Sequence, residues 1–342
     1  MAIREREKKH TYIIAEAGVN HNGDIELARK LIDVAKEAGA DAVKFQTFKA
    51  EESTSFCAEK AEYQKHTTAE SESQLEMIRR LELPFSAFGE LQKYCIDRDI
   101  DFISTPDGLD SLNCLLQLDV PLLKIGSTEV TNYPFLEALG KTGKPLILST
   151  GMSTLGEIEK ALEIIRSTGN QNITLMHCTT DYPTDINYVN LTAMKTMQQA
   201  FQVDVGYSDH TLGYEAAIAA VALGAECIEK HITLDRGLKG PDHQASMPPA
   251  EFKEYVTHIR NTECLLGDGR KRPTPNEIQN LNQVRRSIVT TRAICKGTMI
   301  TKDMLCLKRP GTGIAPEYED VLVGRTIKRD MEADEMIQWE DI

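Results

Sequence analysis

Long apolar runs are missing from this 342-residue chain. Nothing in it approaches the roughly 18 consecutive apolar residues that a membrane-spanning helix requires, which excludes a helical membrane protein. Paired cysteines are missing too. The eight cysteines, at positions 57, 95, 114, 178, 227, 264, 295 and 306, never fall in a CxxC spacing. That argues against a zinc knuckle or a thioredoxin-like motif and predicts reduced, mostly buried thiols. Positive charge is scarce: 39 Lys and Arg stand against 52 Asp and Glu, a formal net charge of -13. Such a chain is a poor nonspecific ligand for nucleic acid or an anionic membrane, so an anionic substrate would need locally gathered positive charge. The first ten residues, MAIREREKKH, lack the apolar segment of a secretory signal. A cytoplasmic protein with neither nucleic-acid nor membrane partners is the expectation.

What the sequence does contain is eight short apolar runs, each emptying into a polar cluster: IIAEAGVNHNG, VKFQTF, FISTPD, LKIGSTE, ILSTGM, LMHCTTDYPT, VGYSDHT and CIEKHIT. Strands buried on both faces read as continuous apolar runs, and in a (β/α)8 barrel the chemistry gathers where the strands end. Between the runs lie segments of helical period. Asp24 can cap DIELARKLIDVAKEAG, with Gly39 as its stop, and Thr154 with Glu157 forms a capping-box pair opening a helix that ends at Gly169. The pattern predicts an α/β protein, a TIM barrel over residues 1–266. Residues 50–84 exceed an ordinary connection and predict an insertion over the barrel mouth. The polar, Gly- and Pro-containing stretch 267–284 reads as a linker, and residues 285–342 read as a small, largely β domain.

The run ends carry the candidate chemistry. His210 and His231 end consecutive strands, and neighbouring strands lie about 5 Å apart, so both imidazoles can reach one divalent ion and leave positions open for Lewis-acid catalysis. Each stands beside a carboxylate, Asp209 and Glu229. Lys44 and Lys124 sit inside otherwise apolar runs, where an ammonium requires a partner. With Thr105, Ser127, Ser149 and Ser208 around them they suit a phosphate or carboxylate; a pairing of Lys44 with Glu16 is the competing explanation. Glu16 ends the first run, as a general base or an acceptor from a sugar hydroxyl.

The ordered strings IAEAGVNHNGD, VKFQTFKA, STP, KIGS, LSTGM, HCTTDYPT, GYSDHT, EKHIT, GPDHQAS and KRPGTG resemble the sialic acid synthases, notably the bacterial N-acetylneuraminate and N,N'-diacetyllegionaminate synthases. The resemblance implies condensation of phosphoenolpyruvate with an open-chain N-acetylated amino sugar, either N-acetylmannosamine or a 6-deoxy diacetamido analogue. The products would be a nine-carbon keto sugar acid and phosphate, released by C–O cleavage with a divalent metal, Mn2+ or Mg2+. It implies His210 and His231 as metal ligands and Glu16 as the catalytic carboxylate. Lys44, Thr105, Lys124, Ser127, Ser149, Thr180, Tyr182 and Ser208 would bind phosphoenolpyruvate, and Gln46, Glu129 and Asp242 the sugar. It also implies that the C-terminal segment is an antifreeze-like (SAF) domain which, in a domain-swapped homodimer, brings an arginine, here Arg309, to the partner's site.

This chain departs from the family pattern at Thr128, where glycine is usual, at Asp107, where many members carry an aromatic, and at Thr180, where some have Asn. The rival activity compatible with a barrel is a Schiff-base pyruvate lyase using Lys44 or Lys124.

Overall fold

A computed structural model describes residues 10–60 and 72–342; most of MAIREREKKH and the centre of the charged insertion lie outside the described residues. The chain divides into two units, residues 1–267 and 268–342.

In the first unit the eight runs form eight parallel strands: β1 (Tyr12–Gly18), β2 (Ala42–Phe48), β3 (Asp101–Asp107), β4 (Leu123–Ile125), β5 (Leu146–Ser149), β6 (Ile173–His177), β7 (Asp204–Asp209) and β8 (Cys227–His231). Their ladder runs β3-β2-β1-β8-β7-β6-β5-β4, a near-closed barrel in which β3 and β4 lie side by side. Every residue of β1, β5 and β8 is buried, which is why these strands lack alternation: one face packs inward and the other meets helices.

The capping signals act as expected. Asp24 accepts from Glu26 N at the start of the helix Ile25–Ala38, and Gly39 adopts φ 87° at its end. Thr154 and Glu157 complete the capping box of the helix Leu155–Ser167.

A large cluster between strands and helices, including Ile13, Val43, Phe102, Leu148, Leu175 and Ile228, is the main core. Inside the barrel, Tyr12, Ile14, Ile103, Ile147, Met176 and Cys227 fill a smaller plug. Strands β7 and β8 come close at Gly206, where an added Cβ would sit 2.3 Å from Cys227 Sγ. Polar side chains lie further along the same strands.

In the second unit, the stretch read as a linker carries a helix, Pro275–Val284, opened by a Thr274–Glu277 capping box. Strands β9 (Ser287–Thr290) and β10 (Leu305–Lys308) pair antiparallel. The remaining β pairing consists of isolated bridges such as Val289↔Met336 and Ile294↔Met331. Within this domain, read from sequence as largely β, residues Glu319–Leu322 form a short helix. Ile288, Ile300, Ile314, Leu322, Ile327 and Ile337 form a core of its own. Among the described residues, no helix is long and apolar enough to cross a membrane.

Candidate active site

Strand register assembles the site. Glu16 on β1 pairs with Lys44 on β2 and, across the other edge, with His231 on β8. Gln46 pairs with Thr105, and Ser208 with Glu229. Because side chains alternate along a strand, Glu229 and His231 share the inward face of β8 while Lys230 points out. The same rule turns Ser208 and His210 inward and Asp209 outward. These faces surround a cleft of about 260 Å³ at the strand ends.

Thirteen of the fifteen sequence-predicted residues line it: Glu16, Lys44, Gln46, Thr105, Lys124, Ser127, Ser149, Thr180, Tyr182, Ser208, His210, His231 and Asp242. Glu129 does not. It lies on the one-turn helix Ser127–Thr131 that follows β4 and accepts a hydrogen bond from Asn132 Nδ2 at 2.6 Å. Arg309 belongs to the second unit and is exposed. Of the neighbouring arginines, Arg292 pairs with Asp303, and Arg325 donates to the Val321 carbonyl.

The floor is an alternating set of charges. Lys44 Nζ lies 2.7 Å from Glu16 Oε1 and 3.8 Å from Glu229 Oε2, and Lys124 Nζ lies 3.4 Å from Glu229 Oε2. The expected Lys44–Glu16 pair therefore exists, and it coexists with hydroxyl contacts: Lys44 donates to Thr105 Oγ1 at 3.3 Å and Lys124 to Ser149 Oγ at 2.7 Å. Burial pushes the Glu16 carboxyl up, only partly offset by Lys44. For Glu229 burial acts the same way, but Lys124 and Lys44 outweigh it and hold the group down at about 2. Lys44 is disfavoured as an ammonium by burial, yet Glu16 and Glu229 more than compensate and raise it. The second oxygens of both carboxylates, Glu16 Oε2 and Glu229 Oε2, are buried without a hydrogen-bond partner.

Beside this floor the backbone comes close at Gly151, whose N–H donates to Ser127 Oγ at 2.9 Å. A Cβ there would stand 2.3 Å from Thr180 Oγ1 and 2.9 Å from Ser127 Oγ. Only glycine permits this gathering of hydroxyls, and two ammonium groups with several hydroxyl donors form a cradle for an anion.

The rings of His210 and His231 are 5.5 Å apart, and Tyr182 packs on His210 at 4.2 Å. His210 Nδ1 lies 2.7 Å from the Thr179 carbonyl, which assigns the ring proton to that nitrogen. Ser208 donates its one hydroxyl proton to Glu229 Oε1 at 3.0 Å, so His210 Nε2 keeps its lone pair. His231 Nδ1 is buried without a hydrogen-bond partner. Burial drives both imidazoles to the neutral form, His210 down to about 4 and His231 to about 3. Neutral imidazoles with uncommitted nitrogens are what a divalent ion requires. Among the described residues, no group of three or more His, Cys, Asp or Glu side chains could hold a metal; an ion held by the two histidines alone would leave its other positions to water and substrate.

Asp242 reaches within 3.9 Å of His231 Nδ1; with that ring uncharged this is no ion pair. Burial and then the nearby Glu16 charge raise Asp242 to about 7.

Sequence reasoning named Asp209 and Glu229 only as neighbours of the histidines. Asp209 is no part of the cleft: it pairs with Lys230 at 3.2 Å and accepts from Tyr255 at 3.0 Å, behind the barrel wall. Glu229 sits at the centre of the floor. Asp107, noted only as a departure, lines the cleft, raised to about 6 by burial and then by Glu129. A wall of Val19, Met77, Ile78 and Leu81 was not foreseen.

A family model described as NeuB family matches residues 31–271, and an SAF domain model matches residues 285–342. The chain is 50% identical over 333 residues to the N,N'-diacetyllegionaminic acid synthase of Campylobacter jejuni subsp. jejuni serotype O:2, covering 96% of this chain and 99% of that one. It is 36% identical over 334 residues to human N-acetylneuraminate-9-phosphate synthase, covering 96% and 92%. Among solved structures it is similar to the N-acetylneuraminic acid (sialic acid) synthetase from Leptospira borgpetersenii serovar Hardjo-bovis in complex with citrate. That match has a TM-score of 0.71 and 35% identity, covering 79% of this chain and 90% of that one. Barrel, cleft and sequence agree that the chain belongs to the NeuB family.

Proposed function

We propose that this protein condenses phosphoenolpyruvate with an open-chain N-acetylated amino sugar to give a nonulosonic acid and phosphate. The observation that carries the proposal is the meeting, in one cleft, of a lysine- and hydroxyl-lined floor with two neutral, buried imidazoles on adjacent strands.

In this reading Lys44 and Lys124 hold the anionic groups of phosphoenolpyruvate, with Thr105, Ser127, Ser149, Thr180, Tyr182 and Ser208 as further contacts. The sugar lies above, against Gln46 and Asp242, with Glu129 at the rim. His210 and His231 would hold a divalent ion, Mn2+ or Mg2+, which when bound supplies Lewis-acid polarisation of the sugar aldehyde. Carbon 3 of phosphoenolpyruvate forms the new C–C bond to the aldehyde carbon, whose oxygen gains a proton. Water adds at carbon 2, and the C2–O bond to phosphate breaks. Glu16 suits the proton transfers: burial raises it, and Oε2 has no other partner.

The Schiff-base alternative needs a neutral amine, whereas Lys44 is held as an ammonium by Glu16 and Glu229. We further propose a domain-swapped homodimer in which Arg309 serves the partner's site, and a cytoplasmic location, which suits eight free thiols.

Phosphate release measured with phosphoenolpyruvate, Mn2+ and each amino sugar in turn tests the reading. Release that depends on both the sugar and the metal is expected; none with any N-acetylated amino sugar would overturn it.

A further inference from the structure

The connection after β2 is longer than barrel closure needs, and its last part, the helix Gln74–Leu81, lies over the cleft. Ser73 and Glu76 form its capping box. Arg79 and Arg80 turn away from the cleft to pair with Glu51 and Glu72. The other face is apolar. Met77 and Leu81 are fully buried with Val19 and Phe48 in a cluster separate from the main barrel core, and Ile78 packs against that cluster while remaining half-buried. Val19, Met77, Ile78 and Leu81 all line the cleft. One wall of the site is thus a patch whose side chains offer no hydrogen-bond donor and, as an acceptor, only the weak Met77 thioether.

The chemistry fixes which part of the sugar meets this patch. If phosphoenolpyruvate lies on the lysine floor, the aldehyde carbon must point down to it, and the far end of the open chain lies towards the mouth. A terminal hydroxymethyl group against such a wall loses its water and finds no partner, while a methyl group loses nothing.

We propose that Ile78 is a specificity-determining residue for the end of the sugar remote from its aldehyde. The wall it completes selects a sugar ending in a methyl group, a 6-deoxy sugar, over its 6-hydroxy counterpart. This rests on the condensation reaction proposed above.

The test uses the full-length protein, Mn2+, phosphoenolpyruvate and two sugars that differ only at carbon 6: 2,4-diacetamido-2,4,6-trideoxymannose and 2,4-diacetamido-2,4-dideoxymannose. The natural chain should favour the deoxy sugar by about 10- to 100-fold in kcat/KM, the range an apolar contact achieves against one added hydroxyl. Ile78→Val and Ile78→Thr place side chains of equal shape, both β-branched, on the helix and differ in one hydroxyl. I78V should keep the preference within about threefold of the natural value, whereas I78T should bring the two sugars to within about threefold of each other. KM for phosphoenolpyruvate should stay unchanged in both variants. Equal use of the two sugars by the natural chain, an I78T preference as strong as the natural one, or an I78V loss matching that of I78T would overturn the assignment and leave the condensation intact. Absence of phosphate release with either sugar would overturn both.

Discussion

His210 and His231 face each other across the β7–β8 ladder with ring centroids 5.5 Å apart and neither ring charged. Replacing either by Gln should lower Mn2+ affinity, measured calorimetrically, by at least about 100-fold, since one of the two proposed ligands is lost. The circular dichroism spectrum should not change. Because the imidazoles stay neutral until about pH 4 and pH 3, Mn2+ affinity should be nearly level between pH 7 and 5 in Asp242→Asn, which removes the carboxyl 3.9 Å from His231 that titrates in this window. A steep loss near pH 6.5 would show that the histidines titrate normally and are not buried as described.

Among the described residues, Glu16 is the one cleft carboxylate that both contacts a floor lysine and stays raised. Glu16→Gln preserves its shape and removes its proton chemistry. kcat should fall by about 10²- to 10⁴-fold, the usual contribution of a positioned acid or base. Metal affinity should be retained, because Glu16 is not among the proposed ligands. A variant with near-natural kcat would remove Glu16 from the mechanism.

Asp242 gives a pH signature of stability. Its folded value, about 7, lies above the ordinary 3.8. The native state therefore holds a proton that the unfolded chain has released across this window, and the group's stabilising contribution, complete below pH 3.8, disappears as pH rises through 7. Asp242→Asn has no charge to bury. In chelator, its Tm should match the natural chain near pH 4 and exceed it at pH 8, by at most a few kcal/mol of stability. The same variant should raise KM for the sugar.

Much of this was legible in the sequence, for identifiable reasons. Strands buried on both faces leave continuous apolar runs, so all eight could be marked, and polar residues ending such runs had to lie at the barrel mouth. Glu229 was undervalued because adjacency to His231 was read where alternation was needed: Glu229 and His231 share a face, whereas Asp209 and His210 do not. Met77, Ile78 and Leu81 were hidden because an eight-residue helix is too short to establish a period, and its partner Val19 is distant in the chain. The helix Pro275–Val284 was masked by the proline and polar residues around it, although Thr274, Pro275 and Glu277 spell its start.

The swapped dimer can be tested by complementation. E16Q carries a defective barrel and an intact second unit; R309A is the reverse. If Arg309 acts in the partner's site, each should be weakly active alone. Reassociation of an equal mixture should recover about a quarter of natural activity, because half the dimers are mixed and each of those has one complete site. Activity of the mixture no greater than that of the two weakly active variants assayed separately would place Arg309 outside the partner's chemistry.

Gly206 lies deep in β7, four residues below His210, where a single methyl group would collide with Cys227 of β8. The separation of the two imidazoles is therefore inherited from the barrel's foundations as much as from its rim. A seemingly mild Gly206→Ala exchange would pry these two staves apart and spread the histidines above them. The defect would be diagnosed as poor metal retention, although neither proposed ligand had been altered.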